Sequence, residues 1–158
     1  CTGSRRIEQK GNPQKMKREE AVKQQQVRFT RKEAREFAMQ TIFQMDAQKE
    51  LDAENLDRYL GDKKLGTQTA YVKTVLGELL KNIEEIDAKI NSVDSGWSTA
   101  RMAKTDLAII RIAVSEMLYA EVPAAVAINE AVSLSKLYGA EQSPKFINAV
   151  LGKIEKTM

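Results

Sequence analysis

The sequence predicts an all-α fold, and three observations carry the prediction. The 158-residue chain has only three prolines and eight glycines, and no alternating apolar run of useful length for a strand. Its apolar residues recur instead at spacings of three and four. The stretch Lys104–Ala120 contains neither Gly nor Pro and is apolar over most of its circumference. This is typical of a central helix that is buried on several sides.

Charge is unevenly distributed along the chain. Residues 1–35 hold eleven Lys or Arg against four Glu, a net of +7, although the whole chain carries only +3. Residues 1–27 show no apolar period, so we expect a basic, disordered extension before one helical domain at residues 28–158. A basic end on a mildly acidic body indicates an anionic partner, nucleic acid first. A solvated tail without a partner is the alternative.

The first half of the domain, residues 28–93, is predicted to contain four helices. Thr30 and Glu33 form a T-x-x-E capping box, which indicates a helix that starts at Thr30 and ends near Ala47. Three further helices are expected at residues 50–60, 71–81 and 82–93.

The second half, residues 97–158, is predicted to contain three helices. Thr105 and Asp106 are good N-cap residues for the central helix, and Pro123 follows its end. A helix at residues 124–138, with an inward-facing stripe that ends at Tyr138, is followed by Gly139, and Ser143-Pro144 marks the start of the last helix. Three charged residues of the central helix are expected on its narrow exposed strip: Asp106, Arg111 and Glu116.

Two features of these helices suit an RNA ligand. Cations gather at the N-terminal end of the first helix, where the helix dipole disfavours them: Arg28, Arg31, Lys32 and Arg35. Phosphates lying across this end would relieve the repulsion, and local pairs with Glu33 and Glu36 are the alternative. Phe146 lies at the margin of the apolar stripe of the last helix, beside Lys145 and Lys153. An aromatic ring beside cations suits base stacking, and packing against the first helix is the alternative.

Composition removes several catalytic classes. The chain has no histidine and one cysteine, which excludes a histidine general base, an intrachain disulfide and a thiolate metal site. It contains no Walker loop, GxGxxG, HExxH or nucleophile elbow. We expect no enzyme, no metal and no cofactor. Because neither a membrane span nor a signal peptide is visible, we expect a cytoplasmic protein.

Three stretches of the chain carry a more specific pattern. They are TRKEAREFAMQTIFQ at residues 30–44, MAKTDLAIIRIAVSEML at residues 102–118 and VPAAVAINEAVSLSKLYGAEQSPKFINAVLGKI at residues 122–154. Together they resemble the NusB family of bacterial transcription antitermination and termination factors, over roughly residues 28–154. The resemblance implies about seven helices in two small helical-bundle subdomains packed across each other, at about residues 28–93 and 97–158.

The resemblance also implies a function in RNA binding. The family binds the boxA element of ribosomal RNA leader transcripts together with NusE, a small-subunit ribosomal protein. This pair joins NusA, NusG and RNA polymerase to suppress premature termination. Two alternatives remain open. One is a protein-interaction adaptor, monomeric or homodimeric, that binds no RNA of its own. The other is the detached NusB-like domain of an rRNA cytosine methyltransferase, which requires a Rossmann-type domain after Met158.

Carried over position by position, the resemblance implies two RNA-facing segments. Glu33 stands where some members have Arg, and Phe43 where many have Tyr. Gln142 stands where many members have Asp, so phosphate should be repelled less at this position. The start of the central helix faces NusE in the family, which assigns Asp106 to that partner. The RNA-binding positions implied are Arg28, Arg31, Lys32, Arg35, Phe43, Gln142, Lys145 and Phe146.

Overall fold

A computed structural model of the chain describes residues 29–93 and 96–158. The expected extension at residues 1–27 and the predicted contact Arg28 lie outside the described residues. The all-α prediction is confirmed, since the described residues form seven α-helices and no strand. The helices are α1 (Arg31–Ala47), α2 (Leu56–Leu60), α3 (Thr69–Lys81), α4 (Ile83–Asn91), α5 (Lys104–Tyr119), α6 (Ala124–Tyr138) and α7 (Ser143–Glu155), with short 3-10 turns at Ala53–Asn55 and Gly66–Gln68.

Helix α5 lies at the centre of the fold, as its sequence predicts. It packs against α1, α3 and α4 from the first half of the chain and against α6 and α7 from the second. Every residue from Asp106 to Glu116 is buried. Helix α5 buries Leu107, Ile109, Ile110 and Ile112, and a fully buried Leu or Ile side chain stabilises a fold by about 1.5–3 kcal/mol, so α5 contributes strongly to the core that the two halves share.

The expectation that the charged residues of α5 lie on an exposed strip is wrong. Asp106, Arg111 and Glu116 are all buried, because helices cover α5 on nearly every side. Arg111 donates from Nε to Oδ1 of Asp87 at 2.9 Å and from Nη2 to its Oδ2 at 2.8 Å. Glu116 accepts hydrogen bonds from an arginine of α1. Two of the three charges are therefore neutralised inside the protein, by partners on other helices.

Some helix ends follow the predicted signals and others do not. The capping box of α1 is confirmed. The backbone N–H of Glu33 donates to Oγ1 of Thr30 at 3.1 Å, and that of Thr30 donates to Oε1 of Glu33 at 2.9 Å. The prediction that Thr105 or Asp106 caps α5 is wrong, because the N-cap residue is Ala103 and no side chain caps this end.

Two further predictions about the helices, one of length and one of burial, differ from the structure. The helix expected at residues 50–60 is only the 3-10 turn Ala53–Asn55 followed by α2. In α6, an apolar stripe ending at Tyr138 is expected, but Tyr138 is 40% exposed, and Leu134 is buried instead. Among the described helices, none has the length and apolar character needed to cross a membrane.

Candidate nucleic-acid interface

Two exposed cations occupy the first turn of α1 and extend to different sides. Nε of Arg31 donates to Oε1 of Gln68 at 2.6 Å, and the Arg31 guanidinium lies 4.1 Å from the ring centroid of Tyr71 in α3. Lys32 instead lines a groove of about 180 Å³ between α1 and α6, which we call the α1–α6 groove. Leu137 of α6 lines the same groove and is 68% exposed. The start of α1 therefore carries one exposed cation on each flank, and on the groove side Glu33, Glu36 and Glu130 line the same groove as Lys32.

Arg35, the third cation of this helix, is buried rather than exposed. Its Nε and Nη2 each lie 2.8 Å from Oε2 of Glu116, and its Nη1 lies 3.5 Å from Oε1 of Glu130. Burial works to lower the pKa of Arg35, but the hydrogen bond and charge of Glu116 outweigh it, so the pKa is raised. Arg35 is thus a permanently charged group that joins α1 to α5 and α6.

The two glutamates near the cations line the same groove as Lys32 but form their hydrogen bonds with other residues. Glu33 closes the capping box with Thr30. Glu36 accepts a hydrogen bond from the hydroxyl of Tyr138 at 2.5 Å, and the same hydroxyl accepts one from Nε2 of Gln40 at 3.1 Å. These contacts fasten the C-terminal end of α6 to the middle of α1. Phe43 follows Gln40 by three residues on nearly the same side of α1, and it is 39% exposed.

The predicted contact residues of α7 follow directly after this junction. Gln142 and Lys145 are exposed at the first turn of α7, and Phe146 is half-buried against the hydrophobic core. The connection is tight at Gly139, where a Cβ atom would lie 2.6 Å from Cβ of Ser143. The start of α7 is therefore held close to the end of α6, and through it to α1.

The structure brings some predicted site residues together and separates others. Lys32 lines the α1–α6 groove, and helical spacing puts Phe43 about three turns later on the same side of α1. The first turn of α7 follows in the chain directly after the contact of α6 with α1 at Tyr138. Arg31 lies on the α3 side of α1, and Arg35 is internal. Asp106 lies apart from all of these, in the first turn of α5. It is 8% exposed, and its buried Oδ1 accepts no hydrogen bond from the described residues.

Several polar groups in this region escape the sequence analysis. Tyr71 and Tyr138 fit apolar helical stripes, and a 3.6-residue period does not reveal where a hydroxyl group finds its partner. Gln68 lies in a 3-10 turn just before α3, and nothing in its neighbourhood marks it as a partner of Arg31. These three residues become visible only when distant parts of the chain are placed together.

Comparison with known proteins decides the family. The model of the NusB family matches residues 32–156 of the chain. The chain belongs to the NusB family. Transcription antitermination protein NusB of Acetivibrio thermocellus is 41% identical to it over 128 residues, which cover 80% of this chain and 88% of that relative.

Solved NusB structures share the fold. A structure of T. maritima NusB matches with a TM-score of 0.72 at 27% identity, over 80% of this chain and 91% of that chain. A chain in the crystal structure of antitermination factors NusB and NusE in complex with dsRNA matches with a TM-score of 0.69 at 26% identity, over 81% of this chain and 97% of that chain. The resemblance to the NusB family and the NusB-like helical fold that it implies are both confirmed.

Proposed function

We propose that this chain is a non-catalytic transcription antitermination factor that binds boxA of ribosomal RNA leader transcripts together with NusE. In this proposal the pair acts in a larger complex with NusA, NusG and RNA polymerase. Membership of the NusB family and similarity to the NusB–NusE–dsRNA structure support RNA and NusE as partners. The observation that carries the proposal is the junction of α1 with α6 at the Tyr138 hydroxyl, since it joins the two segments to which RNA contacts are assigned.

Phosphate binding is assigned to the start of α1. Arg31 and Lys32 are exposed there, and a cation at a helix N-terminus is electrostatically unfavourable until an anion neutralises it. Each phosphate held in this way releases counterions, so RNA affinity falls as salt rises. Arg28, which lies outside the described residues, is assigned to phosphate from its place in the sequence alone. Arg35 supports this end from beneath, because its guanidinium is already bound to Glu116 inside the protein.

Base recognition is assigned to the other end of α1. The exposed ring of Phe43 offers a surface on which an unpaired base can stack, a contact of about 1–3 kcal/mol. Gln142 and Lys145 supply hydrogen-bond donors at the first turn of α7, and the half-buried Phe146 offers the part of its side chain that remains exposed. Single-stranded RNA is commonly read by this combination of stacking and edge hydrogen bonds.

The NusE contact is assigned to Asp106. Asp106 is only 8% exposed and its Oδ1 is buried without a donor among the described residues, so the carboxylate would have to turn outward to accept a hydrogen bond from NusE, and the donor gained there would favour that change. We expect NusE to tighten RNA binding by adding a second surface to the complex. Asp106→Ala should reduce this gain and leave RNA binding by the isolated protein unchanged.

The decisive experiment is a salt titration of boxA RNA binding, with and without NusE, by fluorescence anisotropy. Lys32→Ala should weaken binding and reduce the slope of log affinity against log salt by about 0.7, the value for one phosphate contact to a single strand. Phe43→Ala should weaken binding without changing the slope. Lys156→Ala, which removes an exposed lysine just after the far end of α7, is the matched control and should change neither quantity.

Two results would contradict the proposal. If Lys32→Ala and Lys156→Ala behave alike, Lys32 does not hold phosphate, and the groove side of α1 is not part of the RNA site. If the wild-type protein binds no boxA RNA with or without NusE, the chain is an adaptor instead of an RNA-binding factor.

A further inference from the structure

We infer that Gln68 and Tyr71 are positioning residues that hold Arg31 in a geometry suited to phosphate. The inference rests on the proposed function and extends it to residues outside the two segments to which RNA contacts are assigned. Gln68 ends the 3-10 turn before α3, and Tyr71 lies in the first turn of α3. Arg31 lies 37 residues earlier in the chain than Gln68.

Gln68 and Tyr71 restrain Arg31, and none of the described residues accepts a hydrogen bond from its Nη1 or Nη2, the atoms suited to phosphate. The hydrogen bond to Gln68 uses Nε, and the Tyr71 ring lies against the guanidinium at 4.1 Å. A guanidinium has five N–H donors, one on Nε and two on each of Nη1 and Nη2. One donor from each Nη atom can bind a phosphate in bidentate fashion. Because the plane is fixed before RNA arrives, less side-chain entropy is lost on binding.

The ring that supports Arg31 is itself fixed from below. Tyr71 is 6% exposed, and its hydroxyl donates to Oε2 of Glu116 at 2.9 Å. Arg35 donates to the same oxygen. Burial, and after it the charge of Glu116, raises the pKa of Tyr71, so the hydroxyl stays protonated and remains a donor. The ring is thus held by a buried carboxylate that also anchors α1.

Gln68 is restrained mainly by the turn that it ends. Its Nε2 makes a long contact of 3.4 Å with Oγ1 of Thr67, and its Oε1 accepts the hydrogen bond from Arg31. The turn begins at Gly66 with φ of 55°, a left-handed conformation that favours glycine. Oγ1 of Thr69 donates to the carbonyl of Gly66 at 2.9 Å and closes the turn. The acceptor for Arg31 is therefore part of an ordered turn.

The other described arginines whose side chains form hydrogen bonds differ from Arg31, and the difference argues against a purely structural role for Arg31. Arg35, Arg58 and Arg111 each pair with a carboxylate, which neutralises their charge. Within the described part of the chain, Arg31 forms no ion pair and is held by a neutral amide and a ring. This arrangement orients the guanidinium and leaves its full charge for an external anion, at a helix end where that charge is otherwise unfavourable.

A double-mutant cycle in boxA RNA binding tests the inference, with binding measured across a salt series in the presence of NusE. Arg31→Ala should lower the affinity and reduce the salt slope by about 0.7. Gln68→Ala should lower the affinity by about 2- to 12-fold, the effect of losing one pre-ordered side chain, with an unchanged slope because no cation is lost. The double variant should bind no more weakly than Arg31→Ala alone.

Gln48→Ala, at the opposite end of α1, is the matched control and should leave affinity and slope unchanged. The inference is overturned if Gln68→Ala resembles this control, or if the losses from Gln68→Ala and Arg31→Ala multiply in the double variant. Either result, with RNA binding by the wild type intact, leaves the proposed function standing. Absence of RNA binding by the wild type overturns both.

Discussion

Gly139, at the turn between α6 and α7, is constrained by space rather than by its backbone angles. Its φ of −91° and ψ of −177° describe an extended conformation that any residue can adopt. An added Cβ atom would lie 2.6 Å from Cβ of Ser143 and 2.8 Å from the carbonyl oxygen of Ser135. Oγ of Ser143 accepts a hydrogen bond from the N–H of Ala140 at 2.9 Å, so this side chain cannot move aside freely.

We predict that Gly139→Ala lowers the free energy of unfolding by about 1–3 kcal/mol, the range for forcing an atom into a tightly packed site. Gly152→Ala is the matched control, because Gly152 lies inside α7 and its added Cβ would meet no atom within 4 Å apart from its chain neighbours and the backbone of its own helix. That control should stabilise the protein by up to about 1 kcal/mol, since alanine favours a helix interior. Urea unfolding followed by circular dichroism measures both, and equal effects would refute the steric explanation.

At the scale of single elements, the first turn of α1 shows how a helix start can be stable and still cationic. The capping box satisfies two backbone N–H groups, those of Thr30 and Glu33. The backbone hydrogen bond from Thr30, and after it the side-chain hydrogen bond, lowers the pKa of Glu33 below its usual value of 4.5. The carboxylate of Glu33 therefore offsets part of the repulsion between the helix dipole and its neighbours Arg31 and Lys32.

We predict a pH-dependent contribution from this capping box. Because the pKa of Glu33 is lowered by folding, its contribution is present above about pH 4.5 and is lost as the pH falls through the folded pKa. Glu33→Gln should therefore be less stable than the wild type at pH 7, and the difference should disappear in acid. Thr30→Ala should lower the free energy of unfolding by about 0.5–2 kcal/mol at pH 7. Urea unfolding at several pH values measures both effects, and a difference for Glu33→Gln that persists in acid would contradict them.

The elements themselves are largely predictable from local patterns. The spans of α1 and α6 follow from a capping box and from breaks at Pro123 and Gly139, because these signals act within a few residues. The short α2 is poorly predicted, since apolar spacing alone does not determine whether a segment forms a full helix or a 3-10 turn.

At the scale of the whole molecule, buried ion pairs join the two halves of the chain. Arg35 of α1 meets Glu116 of α5 across 81 residues of sequence, and Arg111 of α5 meets Asp87 of α4 across 24. The proposed boundary between subdomains, near residues 93–97, lies between the members of each pair. The burial of α5 at the centre of the fold is predictable from its apolar surface, but the burial of its charged residues Asp106, Arg111 and Glu116 is not. Whether a carboxylate on a helix is exposed to solvent or buried depends on the partner that a distant segment brings to it.

The last prediction concerns the Arg35–Glu116 pair and decides what Arg35 does. Breaking a buried pair leaves an uncompensated charge, so Arg35→Met and Glu116→Leu should each lower the free energy of unfolding by about 3–5 kcal/mol. The triple variant Arg35→Met, Glu116→Leu and Tyr71→Phe replaces the buried carboxylate together with its two donors. It should regain most of this loss, because no buried donor is left unsatisfied. If Arg35→Met is instead as stable as the wild type but binds boxA RNA more weakly, its guanidinium serves the RNA directly. Arg35 would then belong with Arg31 among the phosphate contacts, and the interior network would have to open when RNA binds.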